Sequence, residues 1–169
     1  MRTNGLRTSF GVKVCGLAAI LAAVQGAAAQ EGCSQCEIRD GGTVRGPTSR
    51  REIALAFTAL EFWEGGRTIL DAMAARRAKA SFFVTGDILA KPETAELVRR
   101  IIGDGHYLGP HSDRHLLYGA WDDGRRTLVK RDTFRADLEA NLAKIERLGI
   151  ARDKIRYFVP PYEHYNTCI

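Results

Sequence analysis

The chain has 169 residues, a length that favours a single domain. Its hydrophobic fraction of 45% and charged fraction of 27% are those of an ordinary globular protein. The formal net charge is +5, but three of the positive charges lie in a first segment without acids: Arg2, Arg7 and Lys13. Little excess charge remains beyond that segment, and no Lys/Arg run is interleaved with aromatic residues. The composition therefore excludes a nucleic-acid-binding footprint.

The first 29 residues have the pattern of a secretory signal peptide. A basic stretch precedes an apolar run from Val14 to Val24, which is short for a bilayer span, and residues 27–29 are small alanines suited to cleavage. We expect residues 1–29 to be removed and the mature chain to be secreted or periplasmic, without membrane contact. A short N-terminal membrane helix is the alternative.

Three cysteines remain after that cleavage: Cys33, Cys36 and Cys168. In an oxidising compartment an odd number leaves one thiol over. Cys33 and Cys36 form a single CxxC, whereas a zinc knuckle needs a second ligand pair. A local disulfide or unpaired thiols are therefore favoured over a metal or redox role.

Polar and apolar patterns then alternate along the chain. Residues 30–50 are polar and rich in turn residues, and we expect a leader or loop there. Apolar runs predict four strands, at residues 52–58, 80–84, 107–109 and 155–159. The first of these is a near-continuous apolar run, as expected for a strand buried on both faces.

Helical periodicity predicts three helices between those strands. They begin after Gly65-Gly66, at Pro92 and near Asp132, and a polar loop occupies residues 116–130. The third helix is expected to end at Gly149 and to bury one apolar stripe: Phe134, Leu138, Leu142, Ile145 and Leu148. This alternation indicates an α/β protein with a parallel sheet.

Three motifs lie at the ends of predicted strands. They are Lys79-Ala-Ser-Phe-Phe-Val-Thr-Gly86, Gly105-His-Tyr-Leu-Gly-Pro-His-Ser-Asp-Arg-His115 and Phe158-Val-Pro-Pro-Tyr162. The two histidines of the second motif, four residues apart, can point at one cation. In this order the motifs resemble the polysaccharide deacetylase family with a NodB-type domain, which is carbohydrate esterase 4-like. The resemblance runs from about residue 51 to residue 169.

The resemblance implies a fold and a chemistry. The fold is the N-terminal part of a distorted (β/α) barrel, and the reaction removes acetyl groups from a polysaccharide with a divalent ion, zinc or similar. An Asp and two His hold the metal, which activates a water, and a second Asp is the general base. His111 and His115 match the two histidine ligands. Tyr162 matches the tyrosine whose backbone N–H holds the oxyanion.

Both acids of the family pattern are absent here. Where the family has Thr-Phe-Asp-Asp-Gly, this chain has Ala56-Phe-Thr-Ala-Leu60. The nearest carboxylates are Glu61 and Glu64. One extra residue in this loop would let Glu61 reach the metal site as third ligand or base; a solvated loop acid is the alternative. The third motif also has Val159 where the family has an Arg that orients the catalytic Asp.

Further residues are candidates around this site. Pro161 and Tyr162, together with the aromatic side chains of Trp63 and Trp121, are expected to line the substrate cleft, although the tryptophans could equally pack under the long loop. Asp113 could act as a base, but a solvated or turn-forming role is favoured.

The sequence therefore predicts a secreted, metal-dependent carbohydrate deacetylase whose partner is a polysaccharide or oligosaccharide. The missing acids also permit a catalytically silent family member that binds glycans in the same cleft. The chain ends soon after the third motif, so we expect an incomplete barrel, and a fragment of a longer protein is a third possibility.

Overall fold

A parallel three-stranded sheet is the centre of the fold. The computed structural model describes residues 33–49 and 51–168; the expected signal peptide lies outside them. The strands of the sheet are β3 (Ala56–Ala59), β4 (Ser81–Val84) and β5 (Tyr107–Pro110), and they lie side by side in this order. The register pairs Ala59 with Val84 and Val84 with Pro110, so the carboxyl ends of all three strands meet at one edge.

Helices connect the strands in the predicted order. They are α1 (Gly66–Ala75), α2 (Gly86–Ala90), α3 (Ala95–Gly103) and α4 (Arg131–Glu146). The short helix α2 was not predicted from the sequence; it begins after Thr85, whose hydroxyl accepts the Ile88 N–H. One face of the sheet packs with α1, α3 and α4 around a core that includes Leu70, Phe82, Ile101 and Ile145.

The prediction of a leader or loop at residues 30–50 is wrong between residues 37 and 45. Strands β1 (Glu37–Arg39) and β2 (Gly42–Arg45) form an antiparallel hairpin there. Its two-residue turn is Asp40-Gly41, and both residues have positive φ, 48° and 82°. Asp-Gly is a strong signal for this type of turn. The phenol of Tyr165 donates to the Arg39 carbonyl, which ties the hairpin to the segment that follows the third motif.

Two predicted strands differ in the structure. The first begins at Ala56 rather than at residue 52 and is not buried on both faces: Phe57 is half-buried and only Ala59 is buried, because β3 is at the edge of the described sheet. Residues 155–159 form no strand. The phenol of Tyr107 takes both backbone groups of Tyr157, accepting its N–H at 2.8 Å and donating to its C=O at 3.1 Å, so these groups cannot join a ladder.

Helix α4 is rotated relative to the prediction. Leu142 and Ile145 are buried, but Phe134 and Leu138 are only half-buried and Leu148 is exposed. The fully buried polar residues of the helix are Asp137 and Asn141. Two polar residues interrupt the apolar stripe of the helix because their side chains form hydrogen bonds with the segment after β5.

Cys33 and Cys36 are both disulfide-bonded, as the first of the expected alternatives has it, and Cys168 is free and exposed. Within the described part of the chain, no helix has the length and apolar character needed to cross a membrane.

Candidate metal and substrate site

His111 occupies the first position after β5 and is 2% exposed. Its backbone N–H donates to Val84 O at 3.1 Å and to Asn141 Oδ1 at 3.0 Å. Its ring Nδ1 lies 2.8 Å from Val159 O. A carbonyl can only accept, so Nδ1 carries the proton and Nε2 is left with a free lone pair.

His115 brings a second imidazole to the same point. Its Nε2 is 3.2 Å from Nε2 of His111, and its backbone has a positive φ of 53°. Two imidazoles bound to one tetrahedral ion at 2.0–2.1 Å would place their nitrogens about 3.3–3.4 Å apart. The two Nε2 atoms make a hydrogen bond at 3.2 Å, and a shared ion could take its place with little change in their separation.

Both imidazoles are favoured in the neutral, ligating form. Burial lowers the pKa of His111, and the hydrogen bond to Val159 opposes this only in part. Burial and the neighbouring His111 lower the pKa of His115. The support of the two rings differs, because the Nδ1 of His115 is buried without a hydrogen-bond partner, whereas metal-binding histidines usually donate this N–H.

The segment between the histidines is held by a residue that the sequence analysis missed. The carboxylate of Asp137 is completely buried and accepts hydrogen bonds from Ser112 Oγ and from the backbone N–H groups of Asp113 and Arg114. Asp137, Asn141 and Lys144 share one face of α4, since they are spaced four and three residues apart. Polar residues at this spacing inside an apolar stripe are the signal that could have identified them.

Asp113 does not face the histidine pair as a free base. Its Oδ1 lies 2.8 Å from Nζ of Lys144, and the carboxylate is largely buried. Gly86 makes room for this ion pair, because a Cβ there would lie 1.7 Å from the same Oδ1.

The third motif lies directly beside the pair. Pro161 is buried, and the ring of Tyr162 contacts His115 with centroids 4.5 Å apart. Tyr162 adopts a left-handed backbone conformation, with φ 60°. The ring of Trp121 meets Tyr162 at 5.6 Å and stacks on His164 at 4.7 Å. The structure thus brings His111, His115, Tyr162 and Trp121 into one continuous row.

Two predicted site residues are not part of this row. Trp63 is half-buried against the core, with its ring 6.3 Å from that of Phe82. Glu61 is exposed, and its backbone carbonyl accepts from Lys91 Nζ at 2.7 Å. Among the residues that the structure describes, no third His, Cys, Asp or Glu joins the two histidines. The pair fits two ligands of a divalent ion, and the assignment of Glu61 as third ligand or base stays a prediction.

The other histidines have structural contacts. His106 is buried, and its Nδ1 accepts the Ala80 N–H at 3.2 Å. His164 lies 3.1 Å from the Ala120 carbonyl through its Nε2.

Comparison with known proteins identifies the family to which the chain is related. Residues 45–169 match the polysaccharide deacetylase family. An uncharacterised 30.6 kDa protein of Geobacillus stearothermophilus, encoded in the fumA 3′ region, is 33% identical over 119 residues; the match covers 69% of this chain and 40% of that protein.

Solved structures of carbohydrate esterase family 4 have the same fold. A pseudoenzyme of this family from Bacillus anthracis superposes with a TM-score of 0.62 at 21% identity, covering 76% of this chain and 42% of that one. An acetyl xylan esterase from Clostridium thermocellum in complex with a cobalt ion has a TM-score of 0.54 at 25% identity, covering 68% of this chain and 51% of that one. This chain thus spans about two fifths to half of their lengths.

The three-stranded sheet with its helices is accordingly the N-terminal part of a (β/α) barrel of the NodB type. The matched region includes all three motifs and the histidine pair. The chain belongs to the polysaccharide deacetylase family.

Proposed function

We propose that this domain removes acetyl groups, bound as amides or esters, from a polysaccharide outside the cytoplasm, with a divalent metal ion held by His111 and His115. The observation that carries the proposal is the convergence of two neutral Nε2 atoms, 3.2 Å apart, at the end of β5. Zinc suits a pair of imidazoles, and the similar acetyl xylan esterase contains cobalt, an ion of comparable ligand preference.

A bound divalent ion would polarise the acetyl carbonyl and lower the pKa of a bound water. The residues of this chain have separate tasks around it. His111 and His115 hold the ion. The backbone N–H of Tyr162, whose ring contacts His115, donates to the oxygen that gains negative charge. Trp121 is 65% exposed and offers its flat face to a sugar ring.

Glu61 is the proposed third ligand or general base. Its loop has an exposed position and is tied through the Glu61 carbonyl to Lys91, so the carboxylate must swing towards the pair when the ion binds. If this role holds, Glu61→Gln weakens zinc affinity or abolishes acetate release, while the fold is unchanged.

A second candidate function is glycan binding without hydrolysis. The observation that favours it is the absence of carboxylates at the end of β3, where Thr58 and Ala59 occupy the positions of the two acids of the family. The exposed rings of Trp121 and Tyr162 do not depend on a metal ion to contact a sugar.

The decisive experiment measures acetate release from N-acetylated chitooligosaccharides and from acetylated xylo-oligosaccharides, with zinc or cobalt added. We expect release by the native chain, loss of release in His111→Ala, and retention in Arg125→Ala, a change in the exposed loop. Binding of the oligosaccharide without acetate release would favour the second candidate. Neither binding nor release would exclude both.

A further inference from the structure

The two histidines belong to a short segment that is wrapped around one carboxylate. We infer that Asp137, on α4, is a positioning residue that fixes the separation of the two imidazoles and thereby sets the affinity of the metal site. This inference rests on the proposed function, because it assigns a role to Asp137 within the same site.

The carboxylate of Asp137 collects four donors from three consecutive residues. Ser112 donates through Oγ, Asp113 through its backbone N–H at 2.8 Å, and Arg114 through its backbone N–H at 3.2 Å and its Nε at 3.3 Å. The Asp137 side chain is completely buried, whereas Arg114, its one cationic partner among the residues that the structure describes, is 62% exposed. A buried carboxylate is tolerated only when its oxygens are satisfied in this way.

The backbone of the segment needs such a restraint. Ser112 has φ 69° and His115 has φ 53°, and residues other than glycine adopt this left-handed conformation at a cost. Such conformations persist where surrounding contacts determine them. Here the contacts come from Asp137, which accepts hydrogen bonds from the amides of the two residues between Ser112 and His115.

The same helix also fixes the first histidine. Asn141, one turn after Asp137, accepts the His111 N–H through Oδ1 at 3.0 Å. Residues 111–114 are therefore all hydrogen-bonded to α4, through Asn141 or Asp137. Apolar side chains at these two positions would serve the core equally well, so the buried polar atoms are explained by the segment that they hold.

The test compares Asp137→Asn with a matched control in the same helix, Ile145→Val. Asn keeps the size of Asp but presents N–H groups to donors, whereas Ile145→Val removes one buried methyl from the core and touches no polar contact. Cobalt affinity is measured by titration of the d–d absorption well below the melting temperature. We expect Asp137→Asn to weaken cobalt binding by about 10–100-fold, the usual effect of losing such a supporting partner. The affinity of Ile145→Val should stay within about twofold of the native value.

A second readout does not need the metal. Nuclear Overhauser contacts between the His111 and His115 rings should be strong in the native chain and weak in Asp137→Asn, because the inference makes Asp137 responsible for the separation of the two rings. Equal cobalt affinity and unchanged contacts between the two rings in Asp137→Asn would overturn the inference, as would the same affinity loss in Ile145→Val.

Two further arms keep the test decisive. If the native chain binds no cobalt, the metal part of the proposed function fails, and the contacts between the His111 and His115 rings alone decide the role of Asp137. If Asp137→Asn does not fold, Ser112→Ala replaces it, since this change removes one of the four donors and leaves the carboxylate in place. Weaker contacts between the two histidine rings in Ser112→Ala support the inference, and unchanged contacts contradict it.

Discussion

Single side chains decide the electrostatics of this domain. His106 is buried in the core, where its Nδ1 accepts the Ala80 N–H and its ring meets Phe82 edge-on at 5.4 Å. Burial lowers its pKa below the usual value, and the nearby Lys79 acts in the same direction. The neutral imidazole is therefore part of the folded structure, because a protonated Nδ1 could no longer accept from Ala80.

This feature predicts acid sensitivity. The folded pKa of His106 lies below the ordinary value of 6.5, so the unfolded chain takes up a proton first as the pH falls. The free energy of unfolding therefore decreases below about pH 6.5. We expect the melting temperature to drop between pH 7.5 and pH 5.5, and to drop less in His106→Asn, whose amide oxygen can replace Nδ1. His164→Asn, outside the core, serves as control; an equal drop in all three proteins would contradict the prediction.

Restored carboxylates should convert the histidine pair into a tighter metal site. In the double substitution Thr58→Asp/Ala59→Asp, the acids of the family pattern return at the end of β3, two strands from His111. A third protein ligand is usual for catalytic zinc, so we expect cobalt affinity to rise by at least about tenfold. Thr68→Asp on the exposed face of α1 adds charge away from the site and should change nothing. Calorimetric titration distinguishes these outcomes.

At the scale of elements, helix α4 is joined to the segment after β5 by the ion pair between Lys144 and Asp113. Gly86 begins α2 at the point where Asp113 and Lys144 pair, and the absence of a side chain there is what admits the pair. Gly103, at the end of α3, has nothing within 4 Å of a Cβ and no positive φ. The two glycines therefore differ in their tolerance of the same substitution.

We expect Gly86→Ala to destabilise the fold by about 1–3 kcal/mol or more, because its methyl group must displace Asp113 Oδ1 or Lys144 Nζ. Gly103→Ala should be neutral or stabilising by up to about 1 kcal/mol, since alanine favours the helix. Urea denaturation of the two variants measures both values. Equal stability of the two variants would show that the ion pair can move at little cost.

The elements also show how far the sequence could predict the structure. Periodicity predicted three of the helices and the three strands of the sheet, since each buries a face whose pattern is local. It misjudged α4, because the burial of Asp137 and Asn141 depends on a segment more than twenty residues earlier. It predicted a strand at residues 155–159, whose pairing groups are taken by the phenol of Tyr107. The motif histidines were predicted because their spacing is local, whereas the position of Trp63 in the core depends on tertiary packing.

At the scale of the whole molecule, part of the apolar surface has no cover in the described residues. Ile53 is 87% exposed and Phe62 is 69% exposed, and both flank β3, the edge strand of the sheet next to β4. Exposed apolar side chains beside an unpaired strand edge favour association with other chains.

We therefore expect the domain to self-associate at high concentration and Ile53→Lys to reduce this. The side chain makes no contribution to the core, so the melting temperature should not change. Light scattering over a concentration series measures the effect, with Val44→Lys in the hairpin as a control for added charge. Identical scattering of the native chain and Ile53→Lys would show that this edge does not drive association.

The hydrogen bond from the phenol of Tyr165 to the Arg39 carbonyl joins positions that are 126 residues apart. Closing so long a loop costs more entropy than any contact within the sheet, so the hairpin should dock after the rest has folded. It should also be the first part to open. Hydrogen exchange would then find the β1–β2 amides protected by less free energy than those of β4, and the domain would lose its hairpin long before it unfolds as a whole.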